Sequence, residues 1–238
     1  MKFIVPNLHR RPDKKKAMMR EFPKAGIDPN DVMWVNSHDA EGYANMECLI
    51  DAMICDGWDM DREICGSIPE KMLGKRDWAG IRIRPMPHMA FRWTYLSILR
   101  HIVENNVEAT VLIDDMCFAT PKNGHNTLKQ CITELKQKGG GIMGLDPTRF
   151  PQESASLVTA GYRSPTEESV YYTPDGASAV IPLIVDDPWR VIGDVYRIYE
   201  HGVLGGKIFS TNIKIMTCIG KKSDWSSDIH VNSDSQFF

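Results

Sequence analysis

No run of 18 or more apolar residues occurs in the 238-residue chain, so no segment of it reads as a membrane span. The apolar opening, Met1 to Val5, is too short for a secretory leader, and the expected compartment is the cytoplasm. Six cysteines (Cys48, Cys55, Cys65, Cys117, Cys131, Cys218) form no CxxC pair, which argues against a zinc ribbon or a disulfide framework and predicts reduced, mostly buried thiols. GxSxG is missing, so no nucleophile elbow is present, and the one GxGxxG spacing, Gly139, Gly141 and Gly144, follows a helical segment rather than a strand and so is not a dinucleotide fingerprint. The glycine-rich stretch Lys138 to Asp146 follows a helical segment and lacks the Lys-Ser/Thr of a P-loop; it reads as a helix stop and turn. Internal repeats and low-complexity segments are absent as well.

What is present suits a globular enzyme-sized chain: 42% apolar residues at a formal net charge of -3. That charge excludes a protein whose whole surface grips nucleic acid, but it is unevenly placed. His9 to Arg20 holds six basic residues against Asp13 alone, and Gly80 to Arg100 holds four arginines and no acid. Asp39 to Glu63 reverses this with eight acids and one arginine. Each run suits a solvated helix face; two basic runs beside a carboxylate-rich site also suit a phosphate-bearing ligand.

Hydrophobic periodicity predicts a strand over Lys2 to Val5, a helix over Asp13 to Phe22 ending near Pro23, a strand over Asp31 to Val35 and a helix over Glu47 to Met53. Residues 56 to 83 read as irregular. Behind Pro85 and Pro87, Phe91, Tyr95, Ile98, Leu99 and Ile102 make one apolar helical face that Asn105-Asn106 stops. Ala109 to Ile113 is a β-branched strand, and Asn126 to Lys138 a second amphipathic helix. Ser169 to Thr173 and Lys207 to Thr217 read as strands, Gly176 to Val185 and Pro188 to His201 as helices, and 223 to 238 as a tail. Strands alternating with helices predict an α/β fold: one Rossmann-like domain with a mixed, mostly parallel sheet and helices on both faces.

Asp114 and Asp115 end the strand Ala109 to Ile113, and in open α/β sheets ligands bind beyond the carboxyl ends of strands. Adjacent carboxylates repel unless they are solvated, hydrogen-bonded or bridged by a cation, so the pair is either a strand-ending turn or a cation site facing phosphate oxygens.

The opening IVPNLHRRPDKKKAM and the segment HMAFRWTYLSILRHIVENNVEATVLIDDMCF resemble GT-A-type glycosyltransferases of family 25 and related viral and phage enzymes. The similarity lies in an apolar run before Asn-Leu-x-Arg-Arg-x-Asp (Asn7, Leu8, Arg10, Arg11, Asp13). It continues in a helix with a leading His, followed by a strand and an acidic motif matched by Asp114, Asp115 and Phe118. Ile113 stands where the first acid of that motif would be. IGDVYRIYE resembles the segment that supplies an acceptor-side Asp, here Asp194. FSTNIKIMTCIGKKSDWSS resembles a closing stretch in which Cys218 takes the place of a His, with Gly220, Ser226 and Ser227 in step. About half of the chain is covered.

The resemblance implies a GT-A-like glycosyltransferase that moves a sugar from a nucleotide-sugar donor to a glycan or glycoconjugate hydroxyl, metal-assisted (Mn2+ or Mg2+) and inverting. It implies a nucleotide-sugar-binding half over about 1–120, an acceptor half over about 121–222, and a tail. Asp115 would hold the metal with Asp114 beside it on the donor's sugar or ribose. Arg10 or Arg11 would reach the phosphates, Asn7 the base, and Asp194 would be the general base. Asp186 and Asp187 stand as alternatives, and Asp194 also reads as a first-turn helix acid. Cys218, with His230 near it in sequence, would complete the metal site as thiolate or else be a buried apolar residue. A phage-type transferase acting on hydroxymethylated DNA would use Arg82, Arg84, His88, Arg92 and Trp93 for phosphates and an extruded base. Arg82 and His88 suit donor diphosphate binding equally. The missing acid at Ile113 also fits an inactive nucleotide-sugar-binding domain.

Overall fold

Eleven strands are described: β1 (Lys2–Asn7), β2 (Val32–Asn36), β3 (Arg82–Ile83), β4 (Ala109–Leu112), β5 (Met116–Phe118), β6 (Ile142–Gly144), β7 (Val158–Ala160), β8 (Ser169–Tyr172), β9 (Ile208–Thr211), β10 (Met216–Cys218) and β11 (His230–Val231). Six helices accompany them: α1 (Pro12–Lys24), α2 (Met46–Cys55), α3 (Pro85–Glu104), α4 (Pro121–Gln137), α5 (Pro174–Asp186) and α6 (Ile192–Tyr199). The computed structural model describes residues 1–58, 67, 82–114, 116–147, 156–164, 169–188, 190, 192–218 and 230–231, with backbone alone at 82, 83, 121, 218, 230 and 231.

Seven strands share one sheet in the order β2-β1-β4-β8-β6-β9-β7. β1 runs parallel to β2 and β4, β8 is antiparallel to β4 and β6, β9 is parallel to β6, and β7 reverses against β9. Five of the seven strands therefore point one way, and the chain has the mixed, mostly parallel α/β sheet that alternating strands and helices predict.

Period-two alternation divides the sheet's side chains between two apolar layers. Phe3, Val5, Leu112, Met143, Tyr171 and Phe209 pack with Met18 and Phe22 of α1 and Leu128 and Leu135 of α4. On the other face Ile4, Val111, Ile142, Val170, Tyr172 and Ile208 pack with α2, α3, α5 and α6 through Leu49, Met53, Leu96, Leu99, Val180, Ile184 and Tyr196. Each such side chain contributes about 1.5–3 kcal/mol by leaving water, which is why the strands read as continuous apolar runs. Helix α3 starts on Pro85, whose missing N–H costs nothing at a first turn, and stops where Asn106 takes a positive φ of 49°.

Several short strands depart from the sequence expectation, β5, β6 and β10 among them. Gly139 does end α4, in a left-handed conformation (φ 73°), but Ile142–Gly144 then continues as β6. The other two glycines are packing devices: a side chain at Gly140 would collide with Leu135 and Phe209, and one at Gly141 with Thr173 and the backbone of Gly176. Lys207 to Thr217 divides at Asn212, where the Thr211 hydroxyl bonds the Ile213 carbonyl at 2.7 Å, into β9 in the main sheet and β10. Strand β10 leaves the sheet to pair antiparallel with β5, immediately after the acidic pair.

Candidate functional site

Strands β1 and β4 are neighbours and end at the same edge, which brings the loop after Asn7 against Asp114. Asn7, only 7% exposed, donates from Nδ2 to Asp114 Oδ2 at 2.7 Å and to the Arg11 carbonyl at 3.1 Å. The other carboxylate oxygen, Oδ1, meets the Lys14 ammonium at 3.2 Å, with the Lys14 side chain 6% and the Asp114 side chain 13% exposed. The ends of β1 and β4 and the first turn of α1 thus converge on one partly buried ion pair with an amide locked to it. Asp115 lies outside the described residues. In the β5–β10 ladder Cys218 stands opposite Met116, so the chain folds Cys218 back beside the acidic segment; its side chain is not described.

The two arginines of the loop are held by carboxylates. Arg10 reaches the acidic segment after β2, with Nε 2.6 Å from Asp39 Oδ2 and Nη2 3.4 Å from Glu41. Arg11 pairs with Asp13 at 3.0 Å. That hydrogen bond, against a small burial effect, holds the Asp13 carboxyl below its ordinary value of 3.8.

Of the residues proposed for DNA, His88, Arg92 and Trp93 are buried, whereas Arg84 is exposed. Arg92, 1% exposed, spends its guanidinium on the carbonyls of Ile184, Asp187 and Arg190, tying α3 to the end of α5 and the segment after it. Trp93, 4% exposed, donates to Asp56 at 2.8 Å and lies flat under His38, with centroids 3.5 Å apart and planes 8° apart. Burial there holds the His38 imidazole below its ordinary 6.5, with Asp56 pulling weakly the other way. His88 is buried as well. Arg82 pairs by backbone with Val231 and Ile83 with His230, so the C-terminal strand reaches the entrance of α3; the side chains of Arg82 and His230 are not described. The expectation that Arg92 and Trp93 contact phosphates and an extruded base is thereby corrected: the Arg92 guanidinium is taken by backbone carbonyls and the Trp93 indole by His38 and Asp56.

Asp194 stands in the first turn of α6 with its carboxylate on Arg197 Nη1 at 2.5 Å, and Arg197 also donates to the Ser164 carbonyl at 2.7 Å. A side chain at Gly144, the last residue of β6, would strike Ser164 Oγ. Asp194 is therefore anchored at the carboxyl end of β6, on the same edge as Asp114 and two strand positions across. Beneath it Tyr196 bonds Tyr172, which bonds Tyr95 at 2.8 Å. Burial pushes the Tyr172 and Tyr196 hydroxyls well above their ordinary range, so this chain of phenols holds α3, β8 and α6 in place as neutral donors and acceptors. Asp186 is exposed, and Asp187 is buried and paired with Arg190.

The sequence reading misses Lys14 as a site residue, although a signal exists. Lys14, Met18 and Phe22 recur at i, i+4 and i+8 and are the buried stripe of α1. A cation in an inward stripe is a different object from a cation in a solvated run.

An open cavity of about 500 Å³ lined by Tyr162, Arg163, Glu200, His201 and Ile208 lies beside β7 and β9, away from Asp114. No group of three or more His, Cys, Asp or Glu arranged to hold a metal ion occurs among the described residues, and no described helix is long and apolar enough to cross a membrane. Compared with known proteins, the chain matches no protein-family model and no curated protein sequence.

Proposed function

We propose that the protein is a GT-A-type glycosyltransferase that moves a sugar from a nucleotide-sugar donor to a hydroxyl of a glycan or glycoconjugate, with inversion. The observation that carries this reading is the 2.7 Å bond from Asn7 to Asp114. It joins, across 107 residues, the two segments on which the resemblance to family 25 rests, at the edge of the sheet where α/β proteins bind nucleotides.

In this reading the donor's diphosphate lies against the loop after β1 and the Asp114 cluster, and the acceptor approaches from the Asp194 side. The acceptor oxygen forms a bond to the anomeric carbon as the bond from that carbon to the diphosphate oxygen breaks, the electron pair leaving with the diphosphate. The acceptor proton passes to the Asp194 carboxylate, which Arg197 orients. Arg10 and Arg11 supply charge to the phosphates by exchanging their present carboxylate partners.

A divalent cation such as Mn2+ or Mg2+ on the donor's phosphates would take up part of the leaving group's charge. Asp114 does not suit such an ion, because Asn7 and Lys14 already occupy its two oxygens with donors. Asp115 and Cys218 remain as its ligands in this proposal. With Arg92 and Trp93 buried, a glycan acceptor is favoured over DNA.

The test is release of nucleoside diphosphate from a panel of uridine, guanosine and adenosine diphospho-sugars, with melting temperature measured alongside. One donor is expected to be slowly hydrolysed and to raise the melting temperature by mass action; neither response with any donor would end the reading. Asp194→Asn is expected to retain donor binding and lose transfer to the acceptor. Transfer at the wild-type rate would move the base to Asp187.

A further inference from the structure

We propose that Lys14 is a diphosphate-binding cation of this site and that Asp114 is its positioning residue, so that the diphosphate meets a cation of the protein itself whether or not a divalent metal is bound. The inference rests on the glycosyltransferase reading for the identity of the ligand, but its physical basis is independent of the sugar. Lys14 is 5% exposed and projects from the same inward stripe as Met18 and Phe22. Taking an ammonium that far out of water costs several kcal/mol, and one carboxylate offsets this only in part; an apolar residue in that stripe would serve the fold as well or better.

An ammonium has three N–H donors. Asp114 Oδ1 is the ion-pair partner of Lys14 among the described residues, and no second acceptor among them takes the other two donors. Asp114 in turn is held from its other oxygen by Asn7, whose amide also grips the Arg11 carbonyl. The chain of contacts therefore runs from the Arg10–Arg11 loop through Asn7 and Asp114 to Lys14, and fixes where the ammonium points. A buried ammonium whose other two donors meet no acceptor among the described residues, close to a loop carrying two guanidiniums, is matched by an oxyanion with several acceptor oxygens; a terminal or bridging diphosphate is that group. In the transfer step the Lys14 N–H donors meet the charge that develops on the departing phosphate oxygen.

The experiment is calorimetric titration of inorganic pyrophosphate into the full chain in EDTA, which needs no sugar and no acceptor. The wild type is expected to bind without divalent metal. Lys14→Arg is expected to retain most of the binding. The double variant Lys14→Met/Asp114→Asn, which leaves no unpaired buried charge, is expected to bind roughly tenfold more weakly or worse, from the loss of charge-assisted hydrogen bonds, while its thermal unfolding stays cooperative. Pyrophosphate binding by the wild type only when Mn2+ is present would overturn the proposal, whatever the variants do. Unchanged binding by the double variant would overturn it as well. Failure of the enzyme reading has a different signature: pyrophosphate bound through Lys14 with no nucleotide sugar hydrolysed keeps this site and loses the transferase. Donor hydrolysis indifferent to Lys14 does the reverse.

Discussion

At the residue scale, one side chain can be solvated in one reading and structural in another, and burial decides between them. Arg92 and Trp93 belong by composition to a basic, aromatic segment suited to nucleic acid, yet Arg92 satisfies backbone carbonyls around the end of α5 and Trp93 forms the floor under His38. Stacking has a pH consequence. Burial holds the folded-state His38 below the 6.5 of an exposed imidazole, so in the window below pH 6.5 the unfolded chain binds a proton that the folded chain refuses. Stability from this group is fully present above pH 6.5 and falls as the pH drops through the lowered value. His125, also lowered by burial and by Lys129, adds a contribution of the same sign. In urea denaturation between about pH 7.5 and 5, His38→Phe should keep the stack on Trp93 and flatten part of this fall. An unchanged slope would assign the effect elsewhere.

Elements join where glycine permits it. Thr173 caps α5 by accepting from the Gly176 N–H at 3.1 Å, and its own N–H bonds the Gly141 carbonyl at 2.9 Å. This brings the first turn of α5 down onto the strand leading into β6, and a side chain at Gly176 would meet the Gly141 carbonyl. Backbone on both sides leaves little room to yield. Gly176→Ala is expected to destabilise the protein by about 1–3 kcal/mol despite alanine's better helix propensity, read as a lower denaturation midpoint at unchanged slope. A stabilised variant would show that the contact relaxes freely. Gly139→Ala tests a different cause, since open space surrounds that position and only its left-handed backbone resists a side chain.

For the whole molecule, the order of strands matters more than their order in sequence. Strand β8, from the carboxyl half, lies between β4 and β6, so residues 1–120 do not contain a complete sheet. The buried phenol chain repeats the point, linking Tyr95 to Tyr172 and Tyr196. A fragment 1–120 made alone is expected to show no cooperative melting and to bind a hydrophobic dye, because β4 and α3 lose the partners that cover them. The full chain should melt in one transition. A fragment that folds cooperatively would establish residues 1–120 as a domain in their own right.

Much of the architecture is legible in the amino-acid order because long periodic segments carry their own signal. The stripe in α3, the proline at its start, the asparagines at its end and the β-branched run of β4 each specify a local structure through propensity and pattern. Strands β5, β6 and β7 are three residues each, too short for a period to emerge, and pairing with partners far away in sequence creates them. The candidate site divides in the same way. Position at a strand's end marks Asp114 in the sequence alone, and the resemblance of Asn7, Arg10 and Arg11 to a family motif points to the loop opposite it. Only the folded sheet sets Asn7 on Asp114, turns Lys14 inward onto the same carboxylate and commits Arg92 and Trp93 to the core. Contacts between residues a hundred positions apart have no local signature, because packing and hydrogen bonding choose them after the elements form.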